Sequence, residues 1–183
     1  ISYDTADRLF TSGTVYDSFG RTTTAPASTV TGGANLTVGY FANDLAASQT
    51  QGSTTQSWTL DQGQQRFRAA TTVVSGTTTK SLTNHYDDAS GDSPDWIAET
   101  ADASGWTANV TDQLGSLAVT VDQTGAATYE YANLHGDVQA TCAIGAGAPT
   151  ITPDIDEFGN TPSGSAVPRY GWLGGKQRSG EDL

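Results

Sequence analysis

The phrase Tyr16-Asp17-Ser18-Phe19-Gly20-Arg21 returns in altered form along the whole chain. A sequence that restates one turn again and again constrains the fold to short elements joined by hairpins. Tyr3-Asp4-Thr5-Ala6-Asp7-Arg8 keeps the Tyr-Asp start and the Arg end but has Asp where the other copy has Gly. Thr111-Asp112-Gln113-Leu114-Gly115, Val121-Asp122-Gln123-Thr124-Gly125 and Ile155-Asp156-Glu157-Phe158-Gly159-Asn160 keep Asp-x-x-Gly behind a β-branched residue. Leu60-Asp61-Gln62-Gly63 reads as a copy shortened by one residue.

Asp at the first position and Gly at the fourth suit a type I turn closing a bulged hairpin. The carboxylate accepts nearby backbone N–H groups, and Gly takes the left-handed conformation. Tyr, Val and Ile in front are strand formers. Each phrase predicts one hairpin, with the aromatic or branched residue packed inward and the Asp and Arg at the wet turn. The structural turn set is therefore Tyr3, Asp4, Tyr16, Asp17, Gly20, Arg21, Asp112, Gly115, Asp122, Gly125, Asp156 and Gly159. Because every Asp sits in the same local context, backbone service is expected of them all, and a shared catalytic cleft of none.

The 183 residues are expected to form one segment, 1–183, able to bury a core of its own. Hydrophobic content of 36% is low for a compact helical globule and suits a thin sheet with a wet face. A net charge of −12 argues against nucleic acid or an anionic membrane as partner, and no apolar run approaches the roughly 20 residues of a spanning helix. The opening Ile1-Ser2-Tyr3-Asp4 lies inside a repeat, so the start reads as a cut or processed end, with any export signal upstream. The one cysteine, Cys142, is expected to be a small core residue.

Alternating segments between turn signals run throughout, among them 36–41, 54–60, 65–74, 79–86, 96–100, 106–110, 116–121, 127–131 and 138–144. Residues 22–34, with Pro26 and Gly32-Gly33, are the least patterned and read as a long turn within the array. Residues 169–183 read as a strand followed by an exposed end. No helix of ordinary length is visible, so the expected fold is all-β, built of consecutive antiparallel hairpin repeats.

Tyr-Asp-x-x-Gly-Arg, followed by Asn133-Leu134-His135-Gly136-Asp137, Asp156-Glu157-Phe158-Gly159-Asn160 and Tyr170-Gly171-Trp172-Leu173-Gly174, resembles the YD-repeat proteins of the bacterial Rhs group, relatives of the teneurin barrel. The resemblance covers essentially the whole chain, with degenerate YD repeats over about 1–132 and the start of an Rhs-associated core-like region over about 133–183. It implies part of a spiralling β-sheet shell, secreted or at the cell surface, that encloses a C-terminal toxin. The implied partners are the rest of the shell and that effector. The family's cleavage motif and the effector are not among these residues.

Candidate chemistry is thin. Asp87, Asp88, Asp92 and Asp95 read as a solvated turn rather than an acid/base pair, and they lack the alternation and closing Glu of a calcium loop, as does the segment from Asp154 to Gly159. His85 and His135 have no G-x-S-x-G partner and no zinc-type spacing; His135 is expected to hydrogen-bond a neighbouring turn. Asn35-Leu36-Thr37 and Asn109-Val110-Thr111 match a glycosylation sequon that a bacterial protein would leave bare. The tyrosines and tryptophans are assigned to cross-strand packing. The expectation is a non-enzymatic wall segment without metal or cofactor. The alternative is a cell-surface module whose outward aromatics hold glycans or a receptor. Unpaired strand edges would favour self-association.

Overall fold

A computed structural model of the chain describes residues 2–8, 10–87, 91, 93–100 and 104–153. Among them are thirteen strands and no helix. The strands follow one another in hydrogen-bonded order from first to last, and each pairing whose register is resolved is antiparallel. Neighbours in sequence are thus neighbours in the sheet, as expected when short turns leave no chain for a crossover. The fold is all-β and built of consecutive hairpins. The described residues fall into two compact units, with the boundary at Ser81/Leu82.

The first unit holds β1 (Val15–Tyr16), β2 (Thr22–Ala25), β3 (Leu36–Tyr40), β4 (Ala46–Gln51), β5 (Thr54–Leu60), β6 (Phe67–Val74) and the start of β7 (Thr77–His85). Residues 22–34 are not one long turn: β2 pairs with both β1 and β3, so the turn is confined to the residues after Ala25. Thr22-Thr23-Thr24 carries no apolar alternation, yet β-branched threonines fit a strand, and the ladder bonds of two neighbours hold it there. Register gives the unit two unlike faces. Leu36, Val38, Gln49, Gln56, Trp58 and Ala70 share one, while Thr24, Thr37, Thr50 and Thr55 form a cross-strand row on the other. Thr50 and Thr55 are hydrogen-bonded through their hydroxyls at 3.1 Å.

The second unit holds the end of β7, then β8 (Trp96–Ala98), β9 (Trp106–Thr111), β10 (Leu117–Asp122), β11 (Ala127–Ala132), β12 (Val138–Ala143) and β13 (Thr150–Ile151). Its face bearing Ala108, Val110, Val119, Val121, Tyr129, Tyr131, Ala140, Cys142 and Ile151 is apolar. The opposite face carries Asn109, Thr120, Thr128, Glu130 and Thr141. Among the described residues Leu117 and Val138 form a buried cluster, and Ile97, Ala98 and Ala140 are also buried. Cys142 is half-buried rather than a core residue, because β12 turns it toward the open part of the apolar face beside Tyr129.

Candidate functional site: the turn rim

In the first unit the turns after β1, β3 and β5 lie at one end of the sheet, as alternating strand direction requires. The Asp17 turn shows the local chemistry. Gly20 N–H donates to the Asp17 carbonyl at 3.0 Å, and Gly20 takes φ 83°, the left-handed value a side chain resists. The Asp17 Oδ1 accepts the backbone N–H groups of Phe19 (2.9 Å) and Arg21 (3.0 Å), and its Oδ2 accepts Arg21 Nε at 2.7 Å. One carboxylate therefore satisfies two backbone donors and orients a guanidinium.

Asp4 does the same for Ala6, Arg8 and the Arg8 side chain, with Asp7 in the left-handed conformation at φ 57°. Asp61 serves Gln64 and Arg66, but Gln65 at φ 57° takes the left-handed place. That copy is longer by one residue, not shorter: its closing Arg stands five positions after the Asp, and Gly63 is not the turn's left-handed residue.

The turns are also joined to one another. Arg8 lies over the Tyr16 ring at 4.7 Å, and Arg21 lies over Tyr40 at 4.7 Å and Phe19 at 5.1 Å. Arg21 Nη1 further donates to the Phe41 carbonyl at 3.1 Å and the Asp44 carboxylate at 2.9 Å, in the next turn. Asn43 Nδ2 continues the series, donating to the Gln65 carbonyl at 3.4 Å. The Arg8 and Arg21 guanidiniums are each held by their own turn and reach the following one.

In the second unit Asp112 accepts Leu114 and Ser116 N–H groups, and Asp122 accepts those of Thr124 and Ala126, with Gly115 and Gly125 left-handed at φ 84° and 82°. Asn133 plays the same part, its Oδ1 accepting His135 and Asp137 N–H groups. The Asn133-Leu134-His135-Gly136 turn is thus an amide version of Asp-x-x-Gly, which the spelling concealed. His135 Nδ1 lies 3.0 Å from Asp137 Oδ2 within this same turn rather than reaching a neighbour. Asp137 is buried and also accepts Asn133 Nδ2. Among the described residues no three His, Cys, Asp or Glu side chains gather as a metal site. Asp156 and Gly159 lie outside the described residues.

The inward packing assigned to the residue before each Asp holds only in part. Tyr16 is half-buried under Arg8, but Tyr3 and Thr111 are exposed. Trp58, Trp96 and Trp106 are half-buried, and Trp96 stacks on His85 at 3.5 Å. Tyr129 and Tyr131 are exposed, 6.2 Å apart on the apolar face.

Charge regulation follows from these contacts. The Arg8 guanidinium and then backbone N–H groups hold Asp4 below the usual carboxylate range. For Asp17 and Asp61 partial burial pushes upward, but the arginine and backbone donors outweigh it, and the net shift is downward. The Thr124 hydroxyl and backbone donors lower Asp122. Burial raises Glu130 despite a hydrogen bond from Thr120. A lowered folded pKa contributes stability present above the unfolded value, about 3.9 for Asp, and lost as pH falls through the folded value. Glu130 has the opposite sign: its cost is present at neutral pH and relieved on acidification. Acid titration followed by circular dichroism is expected to show stability falling below about pH 4, and Glu130→Gln is expected to raise stability at pH 7 but not in acid.

Compared with known proteins, the chain matches no family model and no curated protein.

Proposed function

We propose that the chain is a non-enzymatic wall segment of an Rhs/YD-repeat β-shell, which encloses or presents a C-terminal effector in a secreted bacterial protein. The observation that carries this reading is the linked rim: hairpins in chain order, with the Arg8 and Arg21 turns each clamped onto the turn after it. Such an array grows by adding hairpins and keeps its strand register at each addition, which suits a long enclosing sheet. The carboxylates of the motif are consumed by backbone and guanidinium groups, which leaves them little capacity for acid/base chemistry. In this reading the chain needs no cofactor and works beside further shell and its cargo.

The test is the native polypeptide recovered from culture medium. Its intact mass is expected to exceed the 19.0 kDa of this chain, with a C-terminal part that resists protease until denaturant opens the shell. A polypeptide bearing no additional domain, or one whose C-terminal part is cleaved as fast before as after denaturation, overturns the reading.

The exposed Tyr129 and Tyr131 pair favours a second reading, a surface module that stacks on sugar rings. Their surroundings are apolar and supply few polar groups to orient a sugar, so it ranks second. Saturable glycan-array binding lost in Tyr129→Ala would reverse that order.

A further inference from the structure

The rim repeats one receiving geometry, and one copy of it stands open. Arg21 is received by three groups: the ring of Tyr40, the carbonyl of Phe41 and the carboxylate of Asp44. These are the residue leading the turn, the turn's first residue and its fourth. Asp44 takes φ 67° and donates its N–H to the Phe41 carbonyl at 3.2 Å. The first turn offers the same set. Tyr3 leads it, Asp4 opens it, and Asp7 stands fourth at φ 57°, donating its N–H to the Asp4 carbonyl at 3.1 Å. Yet Tyr3 is 63% exposed, Asp7 is exposed, and among the described residues no cation pairs with Asp7.

The pairing along the rim shows what such a set receives. Arg8 precedes Tyr16 and Arg21 precedes Tyr40. Where the closing residue of a turn is Leu45, the residue leading the next is Leu60 instead of Tyr. Aromatic leads thus go with arginine, and an apolar lead with an apolar closer.

The geometry points to Tyr3, the Asp4 carbonyl and Asp7 as a docking socket for an arginine carried on another Asp-capped hairpin turn. The ring offers its negative face to a planar cation, Asp7 supplies the charge, and the carbonyl takes an N–H that points off the ring plane. The net charge of −12 favours a cationic visitor at this end. The carboxylate holding that arginine's Nε in its own turn, as Asp17 holds Arg21, pre-orders the fork and lowers the entropy lost on docking. The socket stands on the rim contacts alone, so it would serve a shell segment or a glycan-binding module equally.

The test uses the whole chain, isotope-labelled and dilute, titrated with a cyclised hairpin peptide of the sequence Val-Tyr-Asp-Ser-Phe-Gly-Arg-Thr and followed by amide chemical shifts. Saturable shifts at Tyr3, Asp4 and Asp7 are expected. Affinity is expected to fall about tenfold in Tyr3→Ala and in Asp7→Asn, and to survive in Tyr3→Phe. A peptide with Gln in place of its Arg is expected not to bind. Asp44→Asn, at the socket already filled by Arg21, should leave the titration unchanged. Absence of shifts at millimolar peptide, shifts that persist in Tyr3→Ala, or equal binding of the Gln peptide each overturn the proposal. None of these outcomes bears on whether an effector is enclosed, which the protease-protection experiment reads separately.

Discussion

Leu117→Ala is expected to destabilise the second unit by about 2–5 kcal/mol. Leu117 is 6% exposed and packs with Val138, 2% exposed, at the turn end of β10 and β12. Val110, Tyr129, Tyr131, Leu134, Ile144 and Ile151 of this unit are exposed, so the few buried hydrophobes carry a disproportionate share of the area removed from water. A sheet layer clamped by short turns has little freedom to collapse onto the gap, which places the cost toward the cavity-forming end of the range. Chemical denaturation followed by tryptophan fluorescence measures it, with Ile151→Ala as the comparison. Ile151 is a larger hydrophobe than Val138 but sits exposed, and its loss is expected to fall within about 0.5 kcal/mol of zero. Equal losses at Leu117 and Ile151 would mean that the Leu117–Val138 cluster is not the core.

Gln56→Met is expected to stabilise the first unit by about 1–2 kcal/mol, against the usual direction of core substitutions. Gln56 is 2% exposed in the middle of β5, between Gln49 of β4 and Thr72 of β6. Its Nε2 makes one long bond to the Thr72 hydroxyl at 3.4 Å, and its Oε1 has no partner. Burying that oxygen costs the water it gave up, with nothing gained in return. Met keeps the length and shape of the side chain and carries no such oxygen. A raised midpoint with an unchanged denaturant slope is the expected signature. Loss of stability in Gln56→Met would show that the amide earns its place, through a bound water or through strand register.

The legibility of this chain divides along physical lines. Turn chemistry is local: whether Asp17 or Asp122 can cap two backbone N–H groups depends on residues within four positions, and all of them stand in the sequence. The hidden copy was the one in which a different residue performed the same act: Asn133 accepts the same N–H pair as an aspartate would. In two copies that the sequence did show, Gln65 and Asp7 take the conformation expected of glycine. Strand β2 was obscured for the converse reason, since its threonines are recruited by partners on both sides rather than by a pattern of their own. Strand β4, Ala46-Ala47-Ser48-Gln49-Thr50-Gln51, is similar: it has no apolar alternation, and its place follows from β3 and β5.

By itself the sequence determined the class of structure and, among the described residues, the Asp-led turns and the task of their aspartates, because each depends on short-range sterics and hydrogen bonding. Only the tertiary structure decided where the arginines go. Arg21 lies twenty residues or more from Phe41 and Asp44, and its contact with them exists only once β2 and β3 bring two turns side by side. The same lateral stacking exposes Tyr3 while covering Tyr16 and Tyr40, three tyrosines alike in lead position. Whether such a ring is buried depends on which turn stands beside it, and that adjacency is a property of the sheet.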